Sequence, residues 1–361
     1  MKPKQLPILV AAVLLTTFAS LQAQQPTLTH AKLQTQSAAA GLDKTFRAMV
    51  AGQSTAAWIG YAVPALGDHE SCCGDWNRCC GRCRLEDTEG TSFRSTDRTP
   101  VQLESKKTLV VLYRVESRLV GKIRTFSLDC ELDAGDLPFF WLTDVRPAES
   151  VALLSSFATA RSAETETKKE ERRLPDAAVM AVAQHDDPAA DRAFDQFVAS
   201  TAPAWLREKA VFWLGAARGR KGYEVLRRLA QQDPSEHVRD KVTFALSVSK
   251  QPEAVDTMIA MARGDSSARV RGQALFWLGQ KAGQKAINAI AGAIDNDPET
   301  DVKKKAVFAL SQLPKDEGVP LLIGVARSNR NLHVRKQAMF WLGQSRDPRA
   351  LVFFEEILTK K

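Results

Sequence analysis

Five of the six cysteines fall within twelve residues, Cys72, Cys73, Cys79, Cys80 and Cys83, and the sixth is Cys130. Three chemistries suit such a cluster. An even number of cysteines in an exported chain argues for disulfides, with fifteen possible connectivities for six sulfurs. Adjacent cysteines rarely pair with each other, so Cys72 and Cys73 are expected to have different partners, and Cys130 could tie the loop to a sheet. The metal alternative takes zinc or copper on His69, Cys72, Cys73, Cys79, Cys80 and Cys83. Cys80-Gly81-Arg82-Cys83 has the two-residue spacing of a zinc knuckle, and His69 stands three residues before Cys72. A second well-spaced pair is missing, so disulfides are favoured and no cofactor is expected. A redox role for Cys80 and Cys83 lacks the βαβ context that such a pair uses.

Elsewhere the chain offers little for catalysis, and no catalytic residue is assigned. Gly52-Gln53-Ser54-Thr55-Ala56 has the start of a nucleophile elbow but not its second glycine. The five histidines, His30, His69, His185, His237 and His333, are scattered, and no phosphate-cradling glycine loop or two-histidine metal helix is present.

The elements that carry these residues divide the chain in two. Lys2 and Lys4 precede an apolar run from Leu6 to Leu21, with Ala23 as a small residue for cleavage, so residues 1–23 read as a signal peptide. An uncleaved anchor is the alternative, because Leu21 is bulky for its place before the cleavage site. A periplasmic or secreted location is therefore expected, with no membrane span after cleavage. Residues 24–160 read as a small β-rich or α+β, cysteine-containing module. Thr108–Val115, Leu119–Leu128 and Phe139–Val145 are its strands, and Pro147 opens a short helix. Residues 161–173 are mostly charged and read as a linker.

Beyond the linker one block returns every 32 residues. Phe212, Phe244, Phe276, Phe308 and Phe340 mark its centre, each preceded by Val or Leu and then a base: Arg207, Arg239, Arg271, Lys303, Arg335. A repeat of this length is one supersecondary unit that buries its apolar face only by stacking on its neighbours. In residues 233–264, Asp233-Pro234 starts a first helix running to Val248. Gln251-Pro252 breaks it, and Ala254, Val255, Met258, Ile259 and Ala262 mark a second amphipathic helix. Six units follow, 174–205, 206–237, 238–269, 270–301, 302–333 and 334–361. The position after the phenylalanine alternates between Trp213, Trp277, Trp341 and Ala245, Ala309. Large beside small suits interdigitated core packing, against the alternative of an exposed aromatic ledge.

The frame Val-Arg, then Ala, an aromatic or Leu, and Leu-Gly, preceded by Asp-Pro, stands here as Asp233-Pro234 before Val238-Arg239 and as Ala274-Leu275-Phe276-Trp277-Leu278-Gly279. It resembles the HEAT-repeat family, and most closely the short HEAT-like repeats of the phycobilin-lyase type. That resemblance implies an α-solenoid, a right-handed superhelix of helical hairpins, over residues 174–361. It also implies that each base contacts a turn aspartate within the stack, and that second helices line the concave face. Outward positions there, Glu224, Arg228, Asp256, Arg263, Asn288, Asp295 and Arg327, are the candidate partner-binding residues. Such repeats serve mostly as protein-binding solenoids, less often as lyases or hydroxylases.

Charge supports a protein partner. The net charge of +8 is not a continuous stripe: residues 174–205 set five aspartates against Arg192, whereas residues 302–333 set six bases against two acids. Phosphate tracking needs a sustained basic surface, so nucleic acid is not expected. The reading is an exported HEAT-repeat scaffold or adaptor that binds another protein. The alternatives are a metal- or thiol-dependent function of residues 68–83 with the solenoid as docking arm, and, third, a lyase-like enzyme with a solenoid cleft.

Overall fold

A computed structural model describes residues 25–67, 82–86, 107–160, 173–281 and 283–359. The segment 1–23, most of the linker, and His69, Cys72, Cys73, Cys79 and Cys80 lie outside the described residues. The first part contains β1 (Thr27–Thr29), β2 (Lys32–Ser37), α1 (Leu42–Gly52), β3 (Ala57–Pro64), β4 (Arg82–Arg84), β5 (Thr108–Glu116), β6 (Leu119–Ser127), β7 (Glu131–Asp133), β8 (Pro138–Thr143) and α2 (Pro147–Ala158).

Five strands form one sheet in the order β2-β8-β3-β5-β6, parallel across its first three strands and antiparallel across its last three. The strand Ala-Trp-Ile-Gly-Tyr-Ala-Val-Pro of β3 is apolar along nearly its whole length because both faces are covered. Ile59, Tyr61 and Val63 turn toward α1 and α2, as do Val111 and Tyr113 of β5. Trp58, Val110, Leu112 and Trp141 turn the other way, onto a small parallel sheet of β1, β7 and β4. Gly60 lets β3 and β5 close up: a Cβ there would sit 2.3 Å from Leu112 Cδ2. The β5–β6 hairpin turns through Ser117 and Arg118, both at positive φ. Their backbone N–H groups donate to the carbonyls of Ser54 and Gln53. That is the work of the Gln53–Ser54 segment, which follows a helix and precedes a strand, the reverse of a nucleophile elbow.

The second part is a run of hairpins: α3 (Arg173–Ala183), α4 (Pro188–Phe197), α5 (Ala204–Ala216), α6 (Gly219–Gln232), α7 (Glu236–Val248), α8 (Ala254–Gly264), α9 (Ala268–Gly279), α10 (Gln284–Asn296), α11 (Thr300–Ser311), α12 (Lys315–Ser328), α13 (Leu332–Ser345) and α14 (Pro348–Thr359). First helices are α3, α5, α7, α9, α11 and α13. The expected start of α7 at Pro234 moves to Glu236, because Ser235 is the N-cap and Asp233 serves another purpose. First helices approach one another more closely than second helices do.

The two parts share one apolar core. It runs from Phe46 and Tyr113 through Val151 and Leu154 of α2 and Val179 and Val182 of α3 into the repeats. A backbone bridge joins Ala65 to His185, flanked by Leu66 N–H to Gln184 O at 2.8 Å and Asp186 N–H to Pro64 O at 3.1 Å. The charged segment 161–173 therefore separates the parts in sequence, not in packing.

Candidate interaction surface

All seven outward positions singled out on the second helices are exposed, and many are laced to neighbours rather than standing free. Arg228 pairs with Asp195 at 3.3 Å and Asp256 with Lys285 at 3.0 Å, each joining successive second helices. Arg327 pairs with Glu356 in the same way. Glu224 takes Arg220 at 3.2 Å within α6, and Asn288 accepts from Gln284 at 2.9 Å within α10. Asp295 lends its backbone carbonyl to Lys303. Arg263 has no carboxylate in ion-pair range among the described residues. Exposed pairs of this kind contribute about 0–1 kcal/mol each, so the face carries mixed charge without depending on it for folding.

Beneath that face runs a spine that fixes the layers. Arg207 binds Asp233 at 2.7 Å, Arg239 binds Asp265 at 2.8 Å, and Arg271 binds Asp297 at 2.7 Å, each across 26 residues. Asp265 and Asp297 each receive two guanidinium nitrogens. The same aspartates accept the backbone N–H two residues on, which places them at the turn between units. Arg239 and Arg271 also reach back to the preceding turn carbonyl, of Asp233 and Asp265. The hydrogen bonds these two guanidinium groups donate to Asp265 and Asp297 hold them above their ordinary pKa. The contact of base with turn aspartate that the resemblance implied is thus present at three of the five bases, whose charge is paired inside the stack. At Lys303 the frame changes, since Asn329 stands where an aspartate would.

The alternation after the phenylalanines sets a period of two units. Trp-Leu-Gly (Trp213–Gly215, Trp277–Gly279, Trp341–Gly343) alternates with Ala-Leu-Ser (Ala245–Ser247, Ala309–Ser311). Gly215 touches the next helix so closely that a Cβ would lie 2.2 Å from Ala245 O, and at Gly279 it would lie 2.8 Å from Ala309 O. Rings line the same row. Phe212 stacks on Phe244 at 5.9 Å, Phe244 meets Trp277 at 4.8 Å, Phe276 stacks on Phe308 at 5.9 Å, and Phe308 meets Trp341 at 4.8 Å. The expectation of core tryptophans holds for Trp213, which is buried, whereas Trp277 and Trp341 are half-buried. The indole N–H groups of Trp277 and Trp341 are nonetheless enclosed and lack an acceptor among the described residues. The phenylalanines form a half-exposed ladder between first helices rather than core knobs. A cavity of about 180 Å³ lies beside Trp341, lined by Leu313, Val319, Leu322 and Gln344 among others.

Of the cysteines, Cys83 and Cys130 are described, and both are buried against the small sheet beside Leu85 and Leu132. Glu86 fastens their segment to the main sheet, accepting from Trp58 Nε1 at 2.8 Å and from Arg114 at 2.8 and 3.0 Å. No cluster of three or more metal-ligating side chains occurs among the described residues, and no described helix is long and apolar enough to cross a membrane.

One buried network escaped sequence reasoning. Tyr113 OH lies 2.8 Å from Tyr61 OH, Tyr61 OH 2.8 Å from Ser150 Oγ, and Ser150 Oγ 2.8 Å from His185 Nε2. His185 Nδ1 is 2.7 Å from the carbonyl of Ala181, which can only accept, so Nδ1 carries the proton and Nε2 accepts from Ser150. A serine on a histidine is the geometry of an activated nucleophile. Here both side chains are fully buried, so the pair acts as a polar rivet between β3, α2 and the turn that follows α3. Burial holds His185 down to about 4 and pushes Tyr61 up to about 12. Arg218 seals the same junction, donating to the carbonyls of Ala183 and His185 and to Asp191.

Comparison with known proteins comes down on the repeats. The family model for HEAT repeats matches residues 193–279, 256–329 and 287–361. No curated protein matches the chain. Among solved structures, human deoxyhypusine hydroxylase in complex with glycerol is similar at 15% identity over 59% of this chain and 91% of that one, with a TM-score of 0.25.

Proposed function

We propose, from the premise that residues 193–361 are HEAT repeats, that this protein is a scaffold or adaptor binding another protein through the lateral surface of the array. The observation that carries the reading is the separation of roles in each unit. The Arg207–Asp233, Arg239–Asp265 and Arg271–Asp297 pairs fix the layers from within, leaving exposed second-helix residues free to vary in charge. Such a surface suits a folded protein of mixed charge better than a polyanion. Export to the periplasm or beyond is part of the proposal and rests on residues 1–23.

The test is capture of a partner by the full chain, compared with Arg228→Glu, Arg263→Glu and Arg327→Glu together. The expected result is loss of capture with a melting temperature within a few degrees of the parent. Undiminished capture by the triple variant removes the lateral-surface reading.

For the cysteine cluster we propose a stapling role over a metal- or thiol-dependent one. Its support is that Cys83 and Cys130 are both buried in the small apolar core beside Leu85 and Leu132, the setting of an inert structural sulfur rather than of a reactive thiolate. Intact mass before and after reduction, with metal analysis of the same sample, decides it. A gain of six mass units on reduction without metal supports three staples, and free thiols with stoichiometric zinc or copper overturn them.

A further inference from the structure

The aromatic row on the first helices presents ring edges rather than ring faces. Phe244 lies between Phe212 and Trp277, and Phe308 between Phe276 and Trp341, with centroids 5.9 and 4.8 Å away in each case. Both faces of each ring are covered while the half-buried ring still reaches the surface, so what it shows is its rim. The rim is the positive end of an aromatic quadrupole. Side chains three residues before and four after share the stripe of the ring. They are Lys241 and Val248 beside Phe244, Gln273 and Gln280 beside Phe276, and Lys305 and Gln312 beside Phe308. Lys241, Lys305, Gln280 and Gln312 are exposed. Neither lysine has a carboxylate in ion-pair range among the described residues, whereas Lys209, in the same place on α5, is paired with Asp176 at 2.9 Å. Lys305 is also held in place, because its stem crosses Gly272 of α9: a Cβ there would sit 2.4 Å from Lys305 Cδ and 3.1 Å from Nζ. The helices concerned, α7, α9 and α11, are covered on both sides by further units and belong to the more closely spaced side of the stack.

We propose that this stripe is a docking track for an acidic segment of a partner protein in the polyproline II conformation, laid across α7, α9 and α11 with one turn on each layer. The spacing fits. Such a helix advances about 9 Å in its three-residue turn, and packed helices repeat at roughly 8–10 Å. Every third side chain then meets the same row. Lys241 and Lys305 stand two layers apart, so acidic residues belong about six positions apart, with an amide between them over Gln273. Gln280 and Gln312 are placed to bond the backbone, whose polar groups have no partners of their own in this conformation. Charge decides the sign of the partner, because the two cations and the positive ring rims all attract anionic or carbonyl oxygen. The covered ring faces argue against single-stranded nucleic acid, whose bases bind by stacking on open faces. The inference rests on the scaffold reading and adds to it a surface on first helices, distinct from the second-helix residues.

The probe is a labelled peptide of three Glu-Pro-Pro-Gln-Pro-Pro units, titrated into the intact protein by fluorescence anisotropy. Its comparisons are the same peptide with lysine for glutamate, a flexible one of Glu-Gly-Ser-Gln-Gly-Ser units, and an oligothymidylate of equal length. Saturable 1:1 binding of the probe is expected, weakened at least tenfold by Lys241→Glu with Lys305→Glu at an unchanged melting temperature. The flexible peptide should bind at least tenfold more weakly, since it must be ordered on the track, and the lysine peptide should not bind. Because Lys305 also packs on Gly272, Lys241→Glu with Gln280→Glu, both at exposed positions, is the second variant and should weaken binding as much. Equal binding of the flexible peptide, binding that both variants leave unchanged, or no saturation by about 1 mM probe overturns the proposal. Tighter binding of the oligothymidylate overturns it in favour of a polyanion. Arg228→Glu and Arg263→Glu lie on α6 and α8, away from the first helices, so a variant carrying those two alone separates failure of the lateral surface from failure of the track.

Discussion

At the scale of single residues, His185 is the group whose ionisation bears most directly on the fold. Its folded pKa of about 4 lies below the ordinary 6.5 because burial penalises the charged ring. The neutral ring is favoured in the fold, so this stability is fully present above the unfolded pKa. It is lost as pH falls from about 6.5 to about 4, where the unfolded chain takes up a proton that the folded chain refuses. The span corresponds to roughly 3 kcal/mol. Urea denaturation at pH 7 and 4.5 should show that decline, and His185→Gln should flatten it while costing stability at pH 7. The Arg–Asp spine makes a separate prediction. Asp297→Ala strands a buried guanidinium and should lower stability by about 3–5 kcal/mol, whereas the Arg271→Met, Asp297→Leu pair should recover much of it. The base of each pair was visible in sequence from its fixed place in the period. The Tyr–Ser–His network was not, because its members are up to 124 positions apart and follow no spacing.

At the scale of elements, glycines in the same repeat position should behave oppositely. Gly215→Ala forces a Cβ to 2.2 Å from Ala245 O and should destabilise the α5–α7 contact by 1–3 kcal/mol. Gly343→Ala enters open space and gains helix propensity, so it should be neutral or stabilising by up to about 1 kcal/mol. Thermal melts of the two variants check the contrast. The helical hairpins were legible because each helix repeats its apolar face, and the strands of β5, β6 and β8 because they are long and bounded by turns. The strand β3 was missed because both its faces are buried and its sequence shows no alternation. The small sheet was missed for the opposite reason, since strands of three residues hold too little pattern to register. Helix α2 was legible from Pro147 at its start, whereas α1 went unread because Gly41 precedes Leu42 and offers neither a side-chain cap nor a proline as a start signal.

At the scale of the molecule, the shared core predicts that the repeats are not an independent piece. Residues 174–361 alone lose the cover of α2 and β6 on α3, together with the backbone bridge from Ala65 to His185. Hydrogen exchange of that fragment should show α3 and α4 unprotected while α7 to α11 keep their protection, and its melting temperature should fall below that of the whole chain. Sequence reading placed a boundary at the charged stretch 161–173 because composition changes there; packing crosses it regardless.

The alternation of Trp-Leu-Gly with Ala-Leu-Ser has an evolutionary side. An array of identical units can gain or lose any number of them, but this one changes length without a mismatch only in steps of 64 residues. Removing residues 238–301 rejoins Gly215 to Ala309, which repeats the contact it had with Ala245. Removing only residues 238–269 brings two tryptophan-bearing units together, with Trp277 where a methyl group belongs. The shorter deletion should therefore be the more damaging of the two, and natural variants of such an array should differ by pairs of hairpins.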